Sequence, residues 1–247
     1  MSASARRSEV ARAIRWPLVV RRIHKWLALF VGVQVVLWTI TGFYMVVIHI
    51  DTIHGDHLVK TAPTATIATA GLVPPATVAA AVEGATEVQL QQRLGRPIWR
   101  VQSPAGLVAF DAVTGRRLAA LTGPEVERVA RRLYAGDAPV VAATRLTEPV
   151  QEMGKRKPTY WQVEFEGWNR PTLYIAPVTG ELLAKRHLAW RVFDFAWMLH
   201  IMDYEARTDV NNPLLRVATW SAFAMALSGA GLLIWSFPRR KQKKAVR

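Results

Sequence analysis

The sequence contains no cysteine among its 247 residues. A chain without thiols forms no disulfide, no thiolate-ligated iron–sulfur cluster and no covalently attached c-type haem. It also lacks a serine nucleophile arrangement and a zinc motif. The Gly-Ala-Gly sequence at 229–231 is not a phosphate-binding loop, because it lies inside an apolar run and not after a strand. These absences argue against a hydrolase. Any redox chemistry must therefore use histidine, carboxylate or a bound cofactor.

Charged side chains are missing from two long stretches of the chain. Residues 27–48 contain none, and residues 214–237 contain only Arg216. At about 1.5 Å rise per residue, helices of this length cross a bilayer core of roughly 30 Å. The first run exceeds the apolar core of a cleaved signal peptide, about 7 to 15 residues, and no small-x-small site follows it, so we expect it to stay attached. The sequence predicts transmembrane helices at 26–50 and 214–237.

Acidic residues are scarce, since 18 aspartates and glutamates stand against 32 lysines and arginines and give a formal charge of +14. The excess is concentrated at the ends: residues 1–25 hold seven basic side chains and one glutamate, and residues 238–247 hold six and none. Short basic segments beside membrane spans stay in the cytoplasm. We therefore expect both termini to be cytoplasmic and residues 51–186 to be exported. The basic ends should contact the lipid bilayer and not nucleic acid.

The region between the spans contains an internal repeat. A Trp-x-Val motif at 99–101 recurs at 161–163, and a Val-Thr-Gly triplet at 113–115 recurs at 178–180. In each copy, apolar and polar residues alternate on both sides of a turn, which predicts a β-hairpin. The glycine of the triplet suits a turn position with positive φ.

Helical patterns accompany the two hairpins. Proline stands at the start of an apolar pattern at 74–83 and of another at 124–134. We predict an α+β membrane protein in which two transmembrane helices flank a periplasmic domain of two hairpin modules, about 72–122 and 137–186, joined by the helix at Pro124. Residues 187–213 should form a membrane-interface helix and a turn.

The six histidines lie mostly near the ends of the predicted spans. His24 precedes the first span and His49 follows it 25 positions later, a separation that places both within roughly 20° of one helical face. His54 and His57 come just after the span, and His200 lies on the predicted interface helix. Histidine is therefore available at both predicted membrane surfaces.

Several motifs together resemble the PepSY-associated transmembrane family. They are Arg21-Arg22-x-His24-Lys25-Trp26 at the first span, Thr41-Gly42 near its far end, Trp197-Met198-Leu199-His200, and a glycine-rich last span followed by Pro-Arg-Arg. The repeated hairpins look like PepSY modules. The resemblance implies a relation to larger, four-span inner-membrane haem proteins that pass electrons to ferric siderophores in the periplasm. Isolated PepSY modules are associated instead with binding or inhibiting peptidases.

A b-type haem needs two neutral imidazoles that face each other across the porphyrin in an apolar pocket. In the predicted topology, His24 alone lies near the cytoplasm, whereas the other histidines lie on the periplasmic side. His49 or His54 with His200 is then the natural pair within one chain, and His24 would need a second copy or another subunit. The alternatives are an interfacial histidine at His24 and a buried, hydrogen-bonded histidine beside Asp203 at His200.

The segment after the first span also has the composition of a metal site. Imidazole and carboxylate are ligands for iron or copper, and the turn at Gly55 allows such side chains to converge. A polar membrane exit with solvated histidines is the alternative. The candidate metal ligands are His49, His54, His57, Asp51 and Asp56.

Two functional hypotheses follow. The first is an inner-membrane PepSY-type protein that carries haem b and, as a component of a membrane oxidoreductase, moves electrons across or along the membrane to a periplasmic redox partner such as a ferric siderophore. The second is a non-catalytic accessory protein whose repeats bind a peptide, an enzyme or a partner subunit. A homodimer would rebuild a four-span unit.

Overall fold

The computed structural model describes residues 15–60, 68–156 and 158–236. Most of the predicted basic end segments, and much of the sequence between the first span and the first module, lie outside the described residues. The chain divides into two compact units. We call the first, Met1–Tyr44 with Trp197–Arg247, the helical unit, and the second, Met45–Ala196, the sheet unit.

The protein is α+β, as predicted, with two long helices and two antiparallel sheets. The helices are α1 (Trp16–Val47), α2 (Ile50–His54), α3 (Pro75–Ala80), α4 (Gly123–Leu133), α5 (Leu188–Ile201) and α6 (Pro213–Ser236). The strands are β1 (Glu87–Arg93), β2 (Arg96–Ser103), β3 (Gly106–Asp111), β4 (Val140–Leu146), β5 (Tyr160–Phe165), β6 (Thr172–Ile175) and β7 (Leu182–Arg186). Short 3-10 turns lie at Asp56–Leu58 and Gln151–Met153.

Helices α1 and α6 are both long and apolar enough to cross a membrane. Few of their side chains are buried within the protein, and large apolar groups such as Phe30 (74%), Val46 (85%) and Ile234 (74%) are exposed. Apolar surface of this extent is unfavourable in water and favourable in lipid. α1 begins at Trp16, ten residues before the predicted start at residue 26. Pro17 is compatible with this start, because the backbone N–H groups in the first turn of a helix form no intrahelical hydrogen bond.

α1 and α6 pack antiparallel within the helical unit. His24 lies beside Ser228 at one level. Further along α1, Val31 and Ala218 are both buried, and they line an apolar cavity of about 220 Å³ that also includes Met202.

The turn between α5 and α6 is organised by two polar side chains. The Asp203 carboxylate accepts four backbone N–H bonds, from Glu205, Ala206, Thr208 and Asp209. Asn212 Oδ1 accepts the Leu215 N–H at 2.8 Å and so caps α6, with Pro213 as its first residue. The predicted helix and turn between residues 187 and 213 are therefore present.

The sheet unit contains two antiparallel meanders, β1-β2-β3 and β4-β5-β6-β7. α3 packs on the first sheet through Val78, which is buried with Val101 and Phe110. α4 was predicted to join the modules, but its apolar face is buried against Val163 and Leu173 of the second sheet. Each module therefore consists of a helix followed by its own meander.

The predicted hairpins are confirmed. β2 pairs with β3 and β5 with β6, so that the repeated Trp99 and Trp161 lie opposite Phe110 and Ile175. The glycines of the two Val-Thr-Gly turns, Gly115 and Gly180, have φ of 71° and 76°. This left-handed conformation carries no steric penalty in glycine.

Candidate functional site

Two histidines are anchored inside the helical unit, one on α1 and one on the last turn of α5. His24 Nδ1 lies 2.8 Å from Ser228 Oγ and 3.2 Å from the Met225 carbonyl oxygen, both on α6. The Ser228 hydroxyl donates its proton to the same carbonyl at 2.7 Å. With the hydroxyl proton on that carbonyl, the Ser228 oxygen accepts from His24, and the nearby Met225 carbonyl also calls for a donor; we therefore assign the imidazole proton to Nδ1.

Gly229 provides the space for this imidazole. A Cβ at that position would lie 3.2 Å from His24 Cε1, which is closer than ordinary van der Waals contact. The glycine that the sequence places in the last span thus allows α6 to approach the histidine of α1.

His200, on α5, forms a similar hydrogen bond to a hydroxyl group, that of Thr41 further along α1. Its Nδ1 lies 2.9 Å from Thr41 Oγ1, and Thr41 is buried and donates its hydroxyl proton to the Leu37 carbonyl at 2.7 Å. By the same argument we assign the imidazole proton of His200 to Nδ1. Trp38 Nε1 donates to the His200 carbonyl at 2.7 Å, and the two rings are 6.5 Å apart.

The two hydroxyls thus select one tautomer for both histidines. Nδ1 is protonated and hydrogen-bonded, and Nε2 has no hydrogen-bond partner among the residues that the structure describes. A neutral imidazole whose Nδ1–H is held by the protein and whose Nε2 lone pair is free is the form that ligates haem iron or another transition metal. In this tautomer, His24 and His200 would each be able to hold haem iron through Nε2.

The other predicted ligands lie in the sheet unit. His49 caps α2, where its Nδ1 accepts the Asp51 N–H at 3.3 Å, and its side chain is 74% exposed. His54 and His57 are exposed, and Asp56 pairs with Lys185. Within residues 15–60, 68–156 and 158–236, no three histidine, aspartate or glutamate side chains are grouped to hold one metal ion. A metal site in this segment stays a prediction, as does the pairing of His49 or His54 with His200.

His187 had no predicted role, yet it is the most buried histidine, at 1% exposure. Its Nε2 donates to the Ile53 carbonyl at 3.1 Å, and its ring meets that of His57 edge-on at 5.4 Å. Gly55 makes room for it, since a Cβ there would lie 3.1 Å from His187 Cδ2. Burial lowers the pKa of His187 below its usual 6.5. Its position between Arg186 and Leu188 gives no sequence signal of this burial.

Glu152 is a second group that the sequence does not reveal. Its carboxylate accepts from Arg191 Nε at 2.6 Å and from the Tyr174 hydroxyl at 2.9 Å, while its carbonyl accepts from Arg186 at 2.7 and 3.0 Å. Burial, followed by the Glu152 charge, raises the pKa of Tyr174. The network attaches the start of α5 to β6 and β7.

Comparison with known proteins gives no relative from which a role could be transferred. No protein-family model, no curated protein and no solved structure matches the chain.

Proposed function

We propose that the chain is an inner-membrane PepSY-type protein that binds haem b and takes part in electron transfer to a periplasmic acceptor, such as the iron of a ferric siderophore. The observation that supports this most directly is the anchoring of His24 and His200 through Nδ1, which leaves each Nε2 lone pair available to iron. Haem b would supply a centre that accepts and releases single electrons. The chain's own residues fix the tautomer and the direction of each imidazole.

The two histidines belong to different sites. His200 contacts Thr41, which is 17 residues beyond His24 on the same helix. At about 1.5 Å per residue, the two levels are roughly 25 Å apart, too far for both imidazoles to ligate one iron. We therefore propose two half-sites. The second ligand at His24 comes from a second copy or a partner membrane subunit, and His49 or His54 is the candidate second ligand at His200.

The membrane location is supported by α1 and α6 and by the basic segments beside them. A homodimer would bring four such helices together and place two His24 side chains in one assembly. Native mass spectrometry should therefore show a dimer that retains haem. A haem-containing monomer would contradict this part of the proposal.

Difference spectra test the cofactor. The full chain, expressed with excess haem and purified in mild detergent, should show the α-band of haem b in reduced-minus-oxidised spectra. His200→Ala and His24→Ala should each lower the haem content by about half or more, because each removes the proposed iron ligand of one site. His57→Ala is the matched control, since this exposed histidine belongs to neither proposed haem pair, and it should leave the spectrum unchanged.

Absence of the α-band would overturn the haem proposal and leave the accessory-protein hypothesis. Unchanged haem in both the His24 and His200 variants would show that the anchored histidines are not ligands. If haem is present, its oxidation by a ferric siderophore, followed at the α-band, tests the proposed acceptor class.

A further inference from the structure

A pocket rich in arginine lies in the sheet unit, where the β1–β2 turn approaches α4. Its volume is about 420 Å³, within the usual range for small-molecule sites, roughly 300 to 1,000 Å³. Its charged lining consists of Arg93, Arg96, Arg128, Arg132, Asp111 and Glu125. We call it the arginine pocket.

The two carboxylates of the arginine pocket are already engaged by their own backbone. Asp111 Oδ1 accepts the N–H groups of Val113 and Thr114 at 3.0 and 2.8 Å. Glu125 Oε2 accepts the Thr122 N–H and hydroxyl, both at 2.9 Å, in a capping box that starts α4. These hydrogen bonds lower the pKa of both carboxyl groups, and the charges of nearby arginines lower it further, so both are ionised at neutral pH. Each carboxylate has one oxygen occupied by its own backbone.

The arginine pocket contains four arginines and only two carboxylates. Arg93 is half-buried and donates to the carbonyls of Ala119 and Val178 at 2.8 and 3.0 Å. Arg96, Arg128 and Arg132 form no ion pair within 4.0 Å in the part of the chain that the structure describes. The four arginines of the pocket outnumber its two carboxylates, which leaves an excess of two positive charges.

The placement of these groups has a cost in local stability. Arg128 and Arg132 are four residues apart on α4, a spacing at which like charges repel and weaken the helix. The helix dipole explains a basic residue in the last turn, such as Arg131 or Arg132, but not Arg128 one turn earlier or Arg96 on β2. A ligand of opposite charge would offset this repulsion.

The β1–β2 turn is shaped to admit one of the guanidinium groups. Leu94 and Gly95 have φ of 53° and 81°, as in a tight hairpin turn. Arg132 Nη1 lies only 3.6 Å from where a Cβ of Gly95 would be. The turn thus lets α4 present Arg132 beside Arg96 from the facing strand.

We propose that the arginine pocket binds a small oxyanion with two or more negative charges, such as a di- or tricarboxylate or a pyrophosphate group. Guanidinium groups bind carboxylate and phosphate oxygens in pairs of parallel hydrogen bonds, and an excess of two positive charges suits a ligand with two or more negative ones. This assignment does not depend on haem binding.

Isothermal titration calorimetry of the full chain in detergent tests the assignment, with citrate and pyrophosphate as probes and acetate as the monovalent control. Citrate or pyrophosphate should bind at least about tenfold more tightly than acetate, and the affinity should fall as salt is raised. Arg128→Gln with Arg132→Gln should weaken binding by about tenfold or more. Arg131→Gln is the matched control, because Arg131 is exposed on the same helix but does not line the pocket, and it should stay within about twofold of the unchanged protein.

The melting temperature of each variant is measured alongside, and Arg96→Gln on β2 provides a test that leaves α4 untouched. No heat of binding for either probe at about 10 mM and low salt would overturn the proposal. An equal loss of affinity in Arg131→Gln would overturn it too, because the effect would then follow from net charge alone.

Discussion

His187 shows the opposite tautomer to His24 and His200. It donates from Nε2 to the Ile53 carbonyl, and its buried Nδ1 has no hydrogen-bond partner among the described residues. A proton added at Nδ1 would create a buried charge without an acceptor, next to His57 and with Arg191 nearby. This histidine is therefore suited to packing between α2 and the start of α5, not to metal binding.

A pH dependence of stability follows from His187. Because its pKa in the folded protein is below 6.5, the unfolded chain binds the proton more readily. The contribution of the neutral side chain is complete above about pH 6.5 and is lost as the pH falls below that value. We expect the melting temperature of the sheet unit to fall between about pH 7.5 and pH 5.5, and His187→Asn to reduce that fall although it lowers the melting temperature itself. His54→Asn, at an exposed position, should leave the pH dependence unchanged; an undiminished fall in His187→Asn would contradict the assignment.

Residue patterns alone could identify the anchored histidines but not their partners. His24 and His200 stand out in the sequence because of the motifs around them. Ser228 and Thr41, which set their tautomer, are 204 and 159 residues away along the chain, so only the packing of α1 with α6 and α5 reveals them. His187 and Glu152 were missed for the same reason, since their burial is a tertiary property.

At the scale of elements, the sequence predicted the helices and strands that are bounded by glycine or proline turns. The Val-Thr-Gly turns and the Asn-Pro start of α6 are examples, because glycine and proline restrict the backbone directly. β1 was not predicted separately, since Glu87–Arg93 is mostly polar and pairs with β2 along only one edge. The assignment of α4 to the second module depends on long-range burial, which its own periodicity cannot specify.

The repeated turn glycines make a direct test at this scale. Gly115→Ala and Gly180→Ala should each lower the free energy of unfolding by about 1 kcal/mol or more, because alanine is strained at positive φ. Similar losses are expected at the two positions, because a Cβ would approach Val73 to 3.4 Å at Gly115 and Leu121 to 3.4 Å at Gly180, both ordinary contacts. Gly123→Ala is the control: this glycine begins α4 and a Cβ there would lie 3.9 Å from Trp161, an ordinary contact. Thermal or denaturant unfolding of the three variants provides the comparison, and equal losses at all three positions would contradict the conformational explanation.

At the scale of the whole molecule, two apolar helices are long enough to cross a membrane, and basic sequences lie beside them. α1 and α6 run antiparallel, so the first residues of α1 and the last residues of α6 lie at the same end of the helical unit. From the positive-inside rule we propose that this end is cytoplasmic and that the sequence between the two helices is exported. This topology would decide which side of the membrane each proposed haem half-site faces. It would also decide which compartment supplies the ligand of the arginine pocket.

The absence of native cysteine makes the topology directly measurable. Ala105→Cys, in the exposed β2–β3 turn, should react with a membrane-impermeant maleimide in intact spheroplasts. Gln242→Cys, in the C-terminal basic segment, should react only after lysis, because the bilayer separates the two positions if α6 spans it. The unchanged protein, which has no thiol, gives the background for both. Labelling of Gln242→Cys in intact spheroplasts with protection of Ala105→Cys would invert the topology, and with it the side on which the proposed electron acceptor is found.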